Sequence, residues 1–139
     1  MVRLYVVYAA RSNKVDGGSV LRHWALLISD NGTIGRRCHV FNRGPAGGEM
    51  VYEMTENFSI LDDRAYSTDR VALGVELVGE MSSILATIEA VDRPNQQFEN
   101  FEFFPHCQDW CHDVVKALIG KGMVPAESLD MLKLIPSRD

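Results

Sequence analysis

The sequence has no long apolar run, no excess of positive charge and few cysteines. Its apolar stretches, residues 24–28 among them, are far shorter than the roughly 20 residues that cross a bilayer, so no membrane span is expected. The net charge of −5 argues against general nucleic-acid binding, which needs a basic footprint, and against adhesion to anionic membranes. Three cysteines in 139 residues do not make a disulfide framework, and an odd count leaves at least one thiol free. Internal repeats, low-complexity tracts and charged tails are missing as well. The opening segment, MVRLYVVYAARSNK, has too short an apolar part for a secretory signal. The expected setting is therefore reducing and cytoplasmic, where an isolated thiol is either inert or catalytic.

What is there reads as one folded domain spanning residues 1–139, with 46% hydrophobic and 24% charged residues. A chain of this length buries roughly 65–70% of the surface it exposes when unfolded, a core that needs no staple. Residues 2–9 are β-branched and aromatic and predict a strand. Residues 20–29 are nearly all apolar and predict a strand covered on both faces. Asp30-Asn31-Gly32 is a turn signal, so residues 36–42 are expected to return as a hairpin partner. Residues 43–49 hold three glycines and a proline, a loop suited to flank a site. Residues 50–54 and 70–78 are further strand candidates. The period then changes. Residues 81–91 predict a helix, residues 95–104 a loop with a short strand, residues 106–119 a helix stopped by Gly120-Lys121-Gly122, and residues 126–134 a short last helix. Strands first and helices later predict an α+β fold, an antiparallel sheet packed against helices.

The segment from Phe104 to Gly120 is the most informative. With Cys107 as position i, Trp110, Cys111, Val114, Val115 and Leu118 fall on one helical stripe, while Asp109, His112, Asp113 and Lys116 lie mainly opposite. Cys107 then sits in the first turn, pointing inward. A helix N-terminus carries partial positive charge and unpaired N–H groups. These favour a thiolate and lower a cysteine pKa, and they can hold an oxyanion. The ordinary alternative is a small buried residue in an apolar stripe, which is the reading given to Cys111, one turn deeper.

A nucleophilic cysteine needs a base. His23 shares a strand face with Leu21, Ala25 and Leu27, where an imidazole needs a partner. His39 lies on the expected neighbouring strand, where a third group would hold that imidazole in one tautomer. Each also has an ordinary structural reading. His112 is expected in solvent and His106 near the helix cap.

These residues in this order resemble a circularly permuted papain-like thiol enzyme of the broad NlpC/P60 group. His106-Cys107-Gln108-Asp109-Trp110, running on to Leu118-Ile119-Gly120-Lys121-Gly122-Met123-Val124-Pro125, is similar to the nucleophile helix of the PPPDE (DeSI-like) peptidases. Arg22-His23-Trp24-Ala25-Leu26-Leu27-Ile28 is similar to the histidine strand of those enzymes and of the LRAT-like acyltransferases, and His39 matches the second histidine of the latter. His106 stands where the PPPDE pattern has asparagine, and Asp109-Trp110 where it has His-Phe. The resemblance implies a papain-like fold with Cys107 as nucleophile, His23 as base and His39 as orienting residue. It implies cysteine-dependent hydrolysis of an amide, isopeptide or (thio)ester bond through an acyl-enzyme, with no cofactor and no metal. The substrate would be a peptide, a protein conjugate or a small acyl compound. Tyr8, Arg11, Trp24, His106 and Gln108 are the candidates for lining the substrate cleft, with Tyr5 beside them and sheet packing as the other role for the tyrosines.

Three alternatives stand beside this expectation. One is acyl transfer of the LRAT-like type, although the hydrophobic anchor common in those enzymes is not visible. Another is an inactive binding module on the same scaffold. The third is a zinc site drawn from Cys38, His39, His106, Cys107, Cys111 and His112, opposed by the divergence of adjacent residues on a strand or helix.

Overall fold

The computed structural model describes residues 1–8, 23–42, 48–63, 66, 70–93, 95–96 and 107–135. Strands β1 (Arg3–Tyr8), β2 (Trp24–Ser29), β3 (Ile34–Asn42), β4 (Gly48–Ser59) and β5 (Val71–Glu76) precede helix α1 (Met81–Glu89). The two-residue strand β6 (Asn95–Gln96), helix α2 (Cys107–Gly120) and the short helix α3 (Ser128–Met131) follow. The strands pair antiparallel in the order β5-β1-β2-β3-β4-β6. The α+β class with an antiparallel sheet and helices is thus observed. No helix among the described residues is long and apolar enough to cross a membrane.

The β2–β3 hairpin is set by local chemistry. The Ser29 hydroxyl accepts from the N–H groups of Asn31 and Gly32, and the Asn31 side-chain oxygen accepts from those of Thr33 and Ile34. Gly32 takes φ +77°, and a Cβ there would meet the Tyr5 ring at 3.3 Å. Tyr5 therefore packs at the turn end of the sheet, not in a cleft at the other end.

Alternation along β2 sorts its residues between two faces. Trp24, Leu26 and Ile28 join the main core with Leu4, Val6, Cys38 and Val40, under the apolar stripe of α2 and Ile84 and Ile88 of α1. Ala25 and Leu27 join a second cluster with Val7, Ile60 and Tyr66. All six residues of β2 are buried, as a strand covered on both faces requires. The α2 stripe also matches its spacing: Cys107, Trp110, Cys111, Val114, Val115 and Leu118 are all buried. Burying a large apolar side chain of this kind contributes about 1.5–3 kcal/mol, so the stripe holds α2 firmly on the sheet.

Strand β4 is longer than the expected residues 50–54. Its second half, residues 55–59, polar except for Phe58, continues pairing with β3 through a bulge between Gly35 and Arg37. Asn57 absorbs the extra residue at φ +53°, a conformation asparagine tolerates better than most residues.

Candidate active site

Alternation on β3 sends Cys38 and Val40 to the helix-covered face and Arg37 and His39 to the other. The β3–β4 register sets His39 opposite Glu53 and Arg37 opposite Thr55. This places four side chains in one connected run. His23 Nε2 lies 3.0 Å from His39 Nδ1, and His39 Nε2 lies 3.1 Å from Glu53 Oε1. Arg37 donates to the same Glu53 oxygen at 3.0 Å and to the Thr55 hydroxyl at 3.3 Å. Its guanidinium is 4.0 Å from Asp63 and stacks over the Phe58 ring at 4.4 Å. The expected partnership of His23 with His39 is therefore present. Glu53 and Arg37 were not among the residues singled out from sequence. Arg37 and His39 share a strand face two positions apart, which was a usable signal, but Glu53 becomes visible only once the hairpin register is known.

Cys107 opens α2 and is 7% exposed. Its Sγ accepts the Trp24 backbone N–H at 3.4 Å. That N–H belongs to the peptide that joins His23 to Trp24. Bond lengths then put Sγ within about 6 Å of the His23 Cα. No hydrogen bond links His23 to Cys107 among the described residues. The sheet carries the histidines on one face and the thiol on the other, and the two approach at the start of β2.

The electrostatics depart from the expectation for a helix N-terminus. The N–H groups of Trp24, Gln108 and Cys107 do favour the thiolate, but burial outweighs them and pushes the Cys107 thiol up to about 11. Cys38 is likewise raised to about 11 by burial, and Cys111 is raised well above the usual thiol value for the same reason. Burial is also the main cause that lowers His23 to about 4, with His39 and Arg37 adding to it and Asp63 opposing. His39 is lowered chiefly by burial as well, against the opposing pull of Glu53. The hydrogen bond from His39 is the main cause that holds the Glu53 carboxyl below its usual range. The resting site therefore pairs a neutral thiol with a neutral imidazole, not a thiolate with an imidazolium.

The candidates for a substrate cleft divide. Tyr8 ends β1 opposite Trp24 in register, at the same end of the sheet as Cys107. Trp24 is 2% exposed, so its ring belongs to the core and its backbone N–H is what meets the thiol. Gln108 is buried. Arg11 and His106 lie outside the described residues. His112, expected in solvent, is half-buried and stacks on Trp24 with ring centroids 6.0 Å apart. Among the described residues no three histidine, cysteine or acidic side chains are grouped to hold a metal. Cys38 and His39 diverge to opposite faces of the sheet, as their adjacency on a strand demands.

Fold and site together define an antiparallel α+β domain with a thiol at a helix N-terminus and a histidine pair anchored on a carboxylate. The chain belongs to a family of unknown function, DUF6540, whose model matches residues 7–125. No curated protein and no solved structure matches it.

Proposed function

We propose that this protein is a cysteine-dependent hydrolase of amide, isopeptide or (thio)ester bonds, built on a papain-like scaffold of the permuted NlpC/P60 kind and acting in the cytoplasm. One observation carries the reading: the His23–His39–Glu53 run ends on the residue whose following N–H touches the Cys107 sulfur. A structural histidine pair has no need of a thiol at that point. The order of elements supports it too, with a histidine strand early and a cysteine at the head of a later helix.

In this reading Cys107 Sγ attacks the carbonyl carbon of the substrate while His23 takes the thiol proton. With the proton at rest on sulfur, transfer accompanies bond formation, as the developing charge passes from sulfur to the carbonyl oxygen. In this reading, backbone N–H groups at the start of α2 receive that oxyanion. The oxyanion collapses, the leaving amine, alcohol or thiol departs with the proton from His23, and an acyl thioester remains on Cys107. Water then attacks the thioester and gives a proton to His23. The C–S bond breaks and sulfur recovers that proton. Catalytic hydrogen bonds are often long without substrate and tighten in the complex, which accommodates the missing His23–Cys107 bond.

An inactive binding module on the same scaffold is the second reading. The raised thiol and the absent His23–Cys107 bond favour it. Intact-mass spectrometry after exposure to activated acyl, peptide and ubiquitin-like electrophilic probes separates the two. The hydrolase reading expects a single adduct, mapped to Cys107 and slowed in His23→Ala but not in His112→Ala. No adduct, or equal labelling of all three cysteines, would favour the inactive module, and the reacting probe would name the substrate class.

A further inference from the structure

The Glu53 oxygen that faces His39 also faces Arg37. Arg37 only donates, so this oxygen accepts from it. A carboxylate oxygen in that position also accepts from His39, which requires the His39 proton to be on Nε2. Each neutral imidazole carries one ring proton, so His39 Nδ1 is left with a lone pair. That lone pair faces His23 Nε2 at 3.0 Å, and two lone pairs facing each other at this distance would repel. His23 therefore carries its proton on Nε2 and donates to His39. The remaining ring nitrogen, His23 Nδ1, is unprotonated, and no described residue bonds to it. We infer that Glu53, pinned by Arg37, is a positioning residue that sets the proton direction along Glu53–His39–His23 and leaves the basic lone pair on His23 Nδ1.

This inference builds on the reading of His23 as the base, and it supplies the nitrogen that acts. When Cys107 is deprotonated, its S–H bond breaks, a new Nδ1–H bond forms on His23, and the electron pair stays on sulfur to make the S–C bond. His23 Nε2 keeps its proton and its hydrogen bond to His39 throughout. No proton has to travel to Glu53. The low affinity of both rings for a second proton near neutrality fits the single-proton count.

Arg37 makes the inference testable in an unusual way. In Glu53→Gln the side-chain amide must present either its oxygen or its NH2 group to Arg37 and His39 together. A guanidinium repels the NH2 group, so the oxygen is selected and the proton direction survives the loss of charge. In Glu53→Leu no acceptor remains and nothing selects between the two tautomers of His39.

Long-range 1H–15N spectra of the full chain labelled in its histidines at pH 7 read the tautomers directly, with His23→Gln and His39→Gln assigning the signals. Both His23 and His39 are expected as Nε2–H forms in the wild type and in Glu53→Gln, and as mixtures in Glu53→Leu. A His23 Nδ1–H form in the wild type would overturn the inference. So would unchanged tautomers in Glu53→Leu, which would reduce Glu53 to a structural residue. Acylation of Cys107 by a reactive probe should follow the same order, slowed roughly 10- to 100-fold in Glu53→Leu and clearly less in Glu53→Gln. The two readings fail separately. Nε2–H tautomers in a protein whose Cys107 is never acylated would uphold the positioning role and remove the hydrolase.

Discussion

The two faces of the β2–β3 hairpin differ in what they bury. The helix-covered face holds Cys38, Cys107 and Cys111 among aliphatic side chains and Trp110. The opposite face holds an apolar cluster and, beside it, the run of His23, His39, Glu53 and Arg37. A thiol in the middle of the first face has the sheet between itself and any imidazole on the second. Only at the end of the sheet does this separation fail. Cys107 occupies that end and Cys111, one helical turn further on, does not. The difference between two cysteines on one stripe is thus positional, since both are buried and both have raised thiol pKa values.

Thiol labelling is the sharpest way to break this comparison. Cys38 and Cys111 are 0% exposed and should react with a disulfide reagent only when the fold opens. For a domain of ordinary stability that is a protection on the order of 10⁴-fold or more. Cys107, at the rim, should react first and from the folded state. Its rate should rise about tenfold per pH unit through pH 9, because the neutral thiol is raised to about 11. Rates measured by mass spectrometry across pH 6 to 9 test both points. A plateau already reached at pH 6 would restore the preformed thiolate expected from the helix N-terminus. Simultaneous labelling of Cys107 and Cys111 would erase the distinction between rim and interior.

The faces should also differ in what they contribute to stability. Trp110→Ala empties the centre of the helix-covered face, where Trp110 is fully buried, and should cost about 3–5 kcal/mol. Arg37→Met removes ion pairs to Glu53 and Asp63 and the contact over Phe58. Glu53 is about half exposed, with 47% of its side chain in solvent, so the loss should be smaller, about 1–2 kcal/mol. Urea denaturation of the two variants checks the order. A larger cost for Arg37→Met would make the polar run, not the helix layer, the main support of the hairpin.

How much of this was legible in the sequence follows the range of the forces involved. The α2 stripe and the double burial of β2 come from period and composition, which are local, and both were readable. The turn at Asn31-Gly32 was readable for the same reason. The pairing of His23 with His39 needed only that two adjacent strands form a hairpin. Glu53 needed more, because the partner of His39 depends on where β4 starts and on the bulge at Asn57. The length of β4 is not legible because residues 55–59, Phe58 apart, are polar and pair for tertiary reasons. The charge state of Cys107 is not legible, because the helix N-terminus is a local effect of limited size. Burial against the sheet is a property of the whole fold, and it outweighs that effect. The readings given to Arg11 and His106 fall outside the described residues.

The smallest expected effect is the most specific to the polar face. In the unfolded chain His23 takes up a proton near pH 6.5, but in the fold it does so only near about 4. Between these values the unfolded state binds more protons, so stability rises with pH across this window. The contribution is complete above pH 6.5 and is lost as the pH falls toward about 4. His39, also lowered, acts in the same direction. The groups facing His23 are Arg37 and His39 from β3 and Asp63 after β4. Glu53 reaches it only through His39. Arg37 opposes protonation and Asp63 favours it, so neither burial alone nor one charge sets the value. Because His23 is only partly buried, the loss attributable to it should be about 2 kcal/mol, less than the full shift converts to. Urea titrations at intervals from pH 7 to 4 should show this fall in the wild type and a clearly shallower one in His23→Gln. Trp110→Ala removes no titratable group, so it should lower the whole curve without changing its slope. An unchanged slope in His23→Gln would mean that the imidazole is already solvated, and the division between a dry face and a proton-carrying one would have to be redrawn.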